Sequence, residues 1–117
     1  MKDDNVIAIK SKAFAIRVIN LYKYLTQEKQ EYVLSKQILR SGTSIGANIR
    51  EATRAQSTAD FVTKHTISLK EADETCYWLE LLHETGYIGE SEFNSIYADA
   101  NELVKLLVAI IKTINNK

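Results

Sequence analysis

Leu34–Phe61, LSKQILRSGTSIGANIREATRAQSTADF, is the stretch on which the fold turns. Two of the four glycines, Gly42 and Gly46, stand four apart inside it. The pattern around them otherwise scans as helix, with Leu34, Ile38, Ile45, Ile49 and Ala52 kept inward. Residues four apart share a helical face, so the two glycines open one groove. Each costs a helix about 1 kcal/mol relative to alanine, and close approach of a neighbouring backbone is the usual offset. The rival reading is a true break, in which Ser41-Gly42-Thr43-Ser44 closes one short helix and caps another.

To the N-terminal side, Ile7, Phe14, Val18, Leu21 and Leu25 follow the spacing of one helical face, with Ile9, Ala13, Ile16 and Ile19 beside it. This predicts helix 1 over about 4–28, followed by the short charged connection Gln27–Glu31. Ser35 is a good N-cap, and Leu34 can pack on Leu39 as a hydrophobic staple. Helix 2 then covers about 35–55. Ser57, three residues before Asp60, marks the start of helix 3 over about 58–85. Its inward positions are Val62, His65, Leu69, Ala72, Cys76, Leu79 and His83, and Gly86 is a natural stop. Gly89 with Glu90 and Glu92 opens helix 4, over about 90–115, on the pattern Phe93, Ile96, Ala100, Leu103, Leu107, Ile110 and Ile114. Four amphipathic helices with short connections make an all-α, antiparallel up-down-up-down four-helix bundle, one domain over 1–117.

The run LSKQILRSGTSIGANIREA, the entry Ser57–Phe61 and the later SLKEADETCYWLELL resemble the 23S rRNA intervening-sequence protein family. The resemblance runs from about Ala13 to Lys112, and Ser41–Ala52 is its specific part. It implies a cytoplasmic bacterial four-helix bundle that forms ring-shaped homo-oligomers, typically pentamers. It implies no reaction. Members are linked to inserts in ribosomal RNA genes by genetic position, and a similar bundle serves as an accessory protein beside a reverse transcriptase.

Composition agrees with a globular bundle: 117 residues, 45% hydrophobic, 26% charged and no proline. The lone cysteine, Cys76, cannot form an internal disulfide and permits a reducing compartment. The N-terminus is too charged for a secretory signal, and no stretch reaches the roughly 20 apolar residues of a membrane span. A cytoplasmic protein with no membrane partner is expected.

Catalytic and metal chemistry find little support. Glu80-Leu81-Leu82-His83 fits the Glu-x-x-His pattern of di-iron bundles, but Val62 stands where the other histidine, His65, would need its glutamate. Cys76 and His83 lie about 10 Å apart along a helix, too far to share a zinc unaided. No His–carboxylate pair is placed to activate Ser41, Thr43, Ser44 or Cys76. GTSIG lacks the ending of a phosphate loop and no strand precedes it. No enzyme, no cofactor, no metal and no small-molecule substrate are expected.

Charge is the remaining signal. The net charge is zero, yet residues 1–58 hold ten Lys/Arg against five Asp/Glu, and residues 59–117 hold five against ten. Lys36, Arg40, Arg50 and Arg54 share one stripe of helix 2 spanning about 27 Å, while Asp73, Glu80 and Glu84, with Tyr77 between, form an acidic stripe on helix 3. Tyr77 and Trp78 belong to TCYWLELL, which is apolar round more than one face, a sign of burial or of a second body. Two readings follow. In one, Lys36, Arg40, Arg50 and Arg54, with Lys10 and Arg17 of helix 1, face RNA or DNA phosphates. In the other, these cations meet Asp73, Glu80 and Glu84 of a neighbouring copy, and the homo-oligomer is a scaffold or adaptor ring. A plain solvated face is the third option for the stripe.

Overall fold

Helices that carry a stripe of apolar residues must bury it against one another, and this chain does so with four. The computed structural model describes residues 2–116, with side chains from Val6 onward. Met1, and Lys117 at the end of the polar tail Asn115–Lys117, lie outside the described residues. The elements are α1 (Lys2–Gln27), α2 (Leu34–Ala52), α3 (Thr58–Glu84) and α4 (Glu90–Asn115). Each helix packs on its chain neighbours and α1 closes the square against α4, leaving α1 opposite α3 and α2 opposite α4 across the diagonals. The result is an antiparallel bundle measuring 46 × 21 × 19 Å. Its core is built from Ile7, Phe14, Val18, Leu21 and Leu25 of α1, Ile38, Ile45 and Ile49 of α2, Ala72, Leu79 and Leu82 of α3, and Ile96, Leu103 and Leu107 of α4.

α2 runs unbroken through both glycines. A Cβ on Gly42 would lie 2.8 Å from both γ-methyls of Val18, and one on Gly46 would lie 3.3 Å from Ser11 Oγ and 3.5 Å from the Ser11 backbone. The other flank of α2 meets α3 through buried hydroxyls. Ser41 and Thr75 share a hydrogen bond of 2.9 Å, and Ser68 donates to the Ile45 carbonyl at 2.9 Å. Small residues on both flanks therefore let α1 and α3 approach the α2 backbone closely.

Ser35 is not the cap of α2. Gln30 takes a left-handed turn (φ 55°), which brings Glu31 under the first turn of the helix. Its carboxylate accepts the backbone N–H groups of Val33, Leu34 and Ser35 at 3.2, 2.9 and 2.7 Å. Ser35 is buried inside the helix and donates to the Glu31 carbonyl at 2.8 Å. A carboxylate satisfies several orphan donors at once and complements the positive end of the helix dipole, so it does more than a hydroxyl could. At the far end α2 stops at Ala52, three residues before the expected Ala55. The N–H groups of Thr53, Arg54 and Ala55 fall back to carbonyls three residues earlier, a tightened turn that the helix cannot continue. Ser57 then accepts the Asp60 N–H at 3.0 Å and starts α3. Gly86, at φ 84°, ends it: Tyr87 N–H reaches the Leu82 carbonyl at 2.8 Å and Gly86 N–H the His83 carbonyl at 3.1 Å, a Schellman closure.

Candidate interaction faces

The cations of the first half do not form one open surface. Lys10 pairs with Glu102 at 3.2 Å, and Arg17 bridges Glu92 and Asp99 at 2.8 and 2.9 Å while also donating to Ser95. These pairs tie α1 to α4. Arg40 pairs with Glu71 at 3.2 Å and with Glu74, tying α2 to α3. Burial pulls the Arg17 pKa down, but its bonds to Glu92 and Asp99 outweigh that and hold the guanidinium above its ordinary value. Of the six basic residues singled out from the sequence, Lys36, Arg50 and Arg54 make no ion pair with a described residue. All three are exposed, Lys36 and Arg50 on the outer stripe of α2 and Arg54 in the turn that follows it. Arg50, with Lys12, borders a shallow groove between α1 and α2 whose floor includes Ala15, Gly46 and Ala47.

On α3, Asp73, Tyr77 and Glu84 are exposed, Tyr77 at 54%. Glu80 accepts the Tyr97 hydroxyl at 2.7 Å across to α4, and this bond pushes the Tyr97 pKa up to about 12, with burial adding to it. Trp78 is half-buried, and its indole N–H donates to Glu74 at 2.9 Å. Glu80 and Trp78 thus have partners inside the bundle, and Tyr77 packs against Trp78 with ring centroids 5.3 Å apart, whereas the exposed Asp73 and Glu84 make no ion pair with a described residue.

The groups weighed for metal or nucleophilic chemistry are dispersed. His83 stacks on Phe93 with ring centroids 4.3 Å apart, and buried His65 bonds the Phe61 carbonyl through Nδ1 at 2.9 Å. Among the described residues no three His, Cys, Asp or Glu side chains converge on one point. Burial, aided by Asp73 and Glu80, pushes the Cys76 thiol up to about 11, which keeps it protonated and a poor nucleophile. The cleft between α1 and α4 is lined by Leu21, Tyr24, Ile88 and Gly89, with Arg17, Asn20 and Glu92 at its rim. Its cation is already bound to carboxylates. None of the helices is long and apolar enough to cross a membrane.

The face that sequence reasoning undervalued is on α1. Ile9 and Ile16 are 70% and 53% exposed, and Val6, Ala13 and Ile19 are exposed around them. They point away from the core formed by Ile7, Phe14, Val18, Leu21 and Leu25. The signal was present: these residues sit beside the core stripe, and an apolar arc that wide exceeds what one corner of a bundle can bury.

The chain matches, over residues 3–109, the family model described as 23S rRNA-intervening sequence protein. Among solved structures it is similar to a Bacteroides thetaiotaomicron VPI-5482 protein of unknown function from the S23 ribosomal protein family, determined at 1.70 Å resolution. The two share 61% identity and superpose with a TM-score of 0.93, covering 94% of this chain and 98% of that one. No curated protein matches the chain.

Proposed function

The chain belongs to the 23S rRNA-intervening sequence protein family, and from that premise we propose that it is a non-enzymatic, self-assembling scaffold. The observation that carries this reading is the uncovered apolar face of α1, with Ile9 and Ile16 more than half exposed. Burying a side chain of that size stabilises by roughly 1.5–3 kcal/mol, so a few such contacts supply the core of an interface. A single buried thiol fits a reducing compartment, and the cytoplasm is the proposed location. The ring, typically pentameric, that the sequence resemblance implies is the assembly expected. Light scattering coupled to size-exclusion chromatography tests the reading. The wild-type chain should elute as a multimer, and the Ile9→Glu/Ile16→Glu variant as a monomer of unchanged helicity. A wild-type monomer, or a variant that keeps the multimer mass, would end it.

One observation favours weak contact with RNA or DNA as a second activity of the same scaffold. Lys36, Arg50 and Arg54 are exposed and make no ion pair with a described residue. This footing is narrower than the six-cation surface expected from the sequence, because Lys10, Arg17 and Arg40 are held by carboxylates of the same chain.

A further inference from the structure

The outward faces of α1 and α3 match each other in sign and in spacing. On α1, Lys12, Ile16, Ile19 and Lys23 follow one another at steps of four, three and four, so they lie in one stripe. All four are exposed. On α3, Asp73, Tyr77 and Glu84 lie in one stripe, with Leu81 beside it, and the three stripe residues are exposed. Lys12 and Lys23 are eleven residues apart, and so are Asp73 and Glu84. In both helices this places two like charges about 16 Å apart, with bulky apolar groups between them. None of the four charged residues makes an ion pair with a described residue. Lys70, the cation nearest Asp73 along α3, lies one turn before it and outside the span.

We propose that the α1 face of one copy docks on the α3 face of the next, with Lys12 and Lys23 meeting Asp73 and Glu84 around a centre of Ile16, Ile19 and Tyr77. The inference rests on the scaffold reading and names its contact. α1 and α3 occupy opposite corners of the bundle, so one copy cannot satisfy its own pair and two copies cannot satisfy both at once. The contact is heterologous, the kind that propagates head to tail and closes into a ring when the rotation permits. The apolar centre supplies the attraction. The charges fix which face meets which, since like charges brought together on the wrong face repel. A polyanion is a poorer occupant, because it would pair with Lys12 and Lys23 and leave the aromatic, acidic face of α3 with nothing to meet.

Charge reversal tests the pairing. Lys12→Glu/Lys23→Glu and, separately, Asp73→Lys/Glu84→Lys should each weaken assembly tenfold or more in sedimentation. The chain carrying all four changes should assemble again, because complementarity is restored with the signs exchanged. All four positions are on the surface, and recovery in the fourfold variant also shows that the halves fold. If the wild-type chain is a multimer and either double variant assembles as well as it does, or the fourfold variant fails to recover, the pairing is wrong while the scaffold reading stands. If wild-type chain freed of nucleic acid is monomeric at all concentrations, both are wrong.

Discussion

Glu74 is held between two donors of different character, the Trp78 indole and the Arg40 guanidinium. The indole bond lowers its pKa most, burial opposes that, and Arg40 lowers it further, so the carboxyl titrates below its ordinary 4.5. A carboxyl whose native value is depressed contributes stability above its unfolded value and loses that contribution as pH falls through the native one. Glu74 therefore helps at neutral pH and ceases to help as pH falls from about 4.5 toward the lower native value. Replacing Trp78 by Phe removes the largest cause. In a carboxyl-detected NMR titration, Glu74 of Trp78→Phe should move up toward 4.5, and an unmoved midpoint would show that the indole does not set it. This contact also shows a limit of reading residue by residue. Tyr77 and Trp78 look equivalent in TCYWLELL, yet one projects outward and the other is turned onto Glu74 four residues earlier. Only the direction in which each side chain leaves the helix separates them.

The helices themselves were legible because four stripes at helical spacing leave few alternatives once proline is absent and Gly86 and Gly89 punctuate the last turn. Ends were less so. Ser35 looks like a cap by residue type, but the cap is Glu31, reached through a left-handed Gln30 that no local pattern announces. The two glycines of α2 also differ in ways their spacing hides. At Gly42 a Cβ would meet both methyls of a buried, β-branched Val18 at 2.8 Å, and a stiff side chain has little room to yield. At Gly46 the closest atom is the Ser11 hydroxyl at 3.3 Å. Gly42→Ala should thus destabilise by about 1–3 kcal/mol despite alanine's better helix propensity. Gly46→Ala should lie within about 1 kcal/mol of wild type, crowding and propensity nearly cancelling. Adding Val18→Ala to Gly42→Ala should cost less than the two changes measured separately. Urea titration reads all three, and a Gly42→Ala at least as stable as Gly46→Ala would refute the close contact at Val18.

Across the whole molecule, the division of charge between the halves was plain in the sequence, but its destination was not. A cationic stripe on α2 looks the same whether its partners lie on a neighbouring helix, a neighbouring copy or a phosphate backbone. The bundle brings Arg40 onto Glu71 and Glu74, Lys10 onto Glu102, and Arg17 onto Glu92 and Asp99, so much of the imbalance is settled within one chain. This sets a number for nucleic-acid binding. With Lys36, Arg50 and Arg54 as the contacts, the log–log dependence of affinity on salt should have a slope of about −2 to −3, at roughly 0.7–0.9 per phosphate. The triple glutamine variant should lose the interaction. A slope of −4 or steeper would mean that the ion-paired cations also reach phosphate. The same pairs carry a further consequence, in time instead of space. Every carboxylate that answers Lys10, Arg17 and Arg40 lies later in the chain than the cation it serves. At about 5–20 residues per second of synthesis, the nascent first half spends several seconds as an unanswered polycation beside the ribosome that makes it, and becomes neutral only when its own second half arrives.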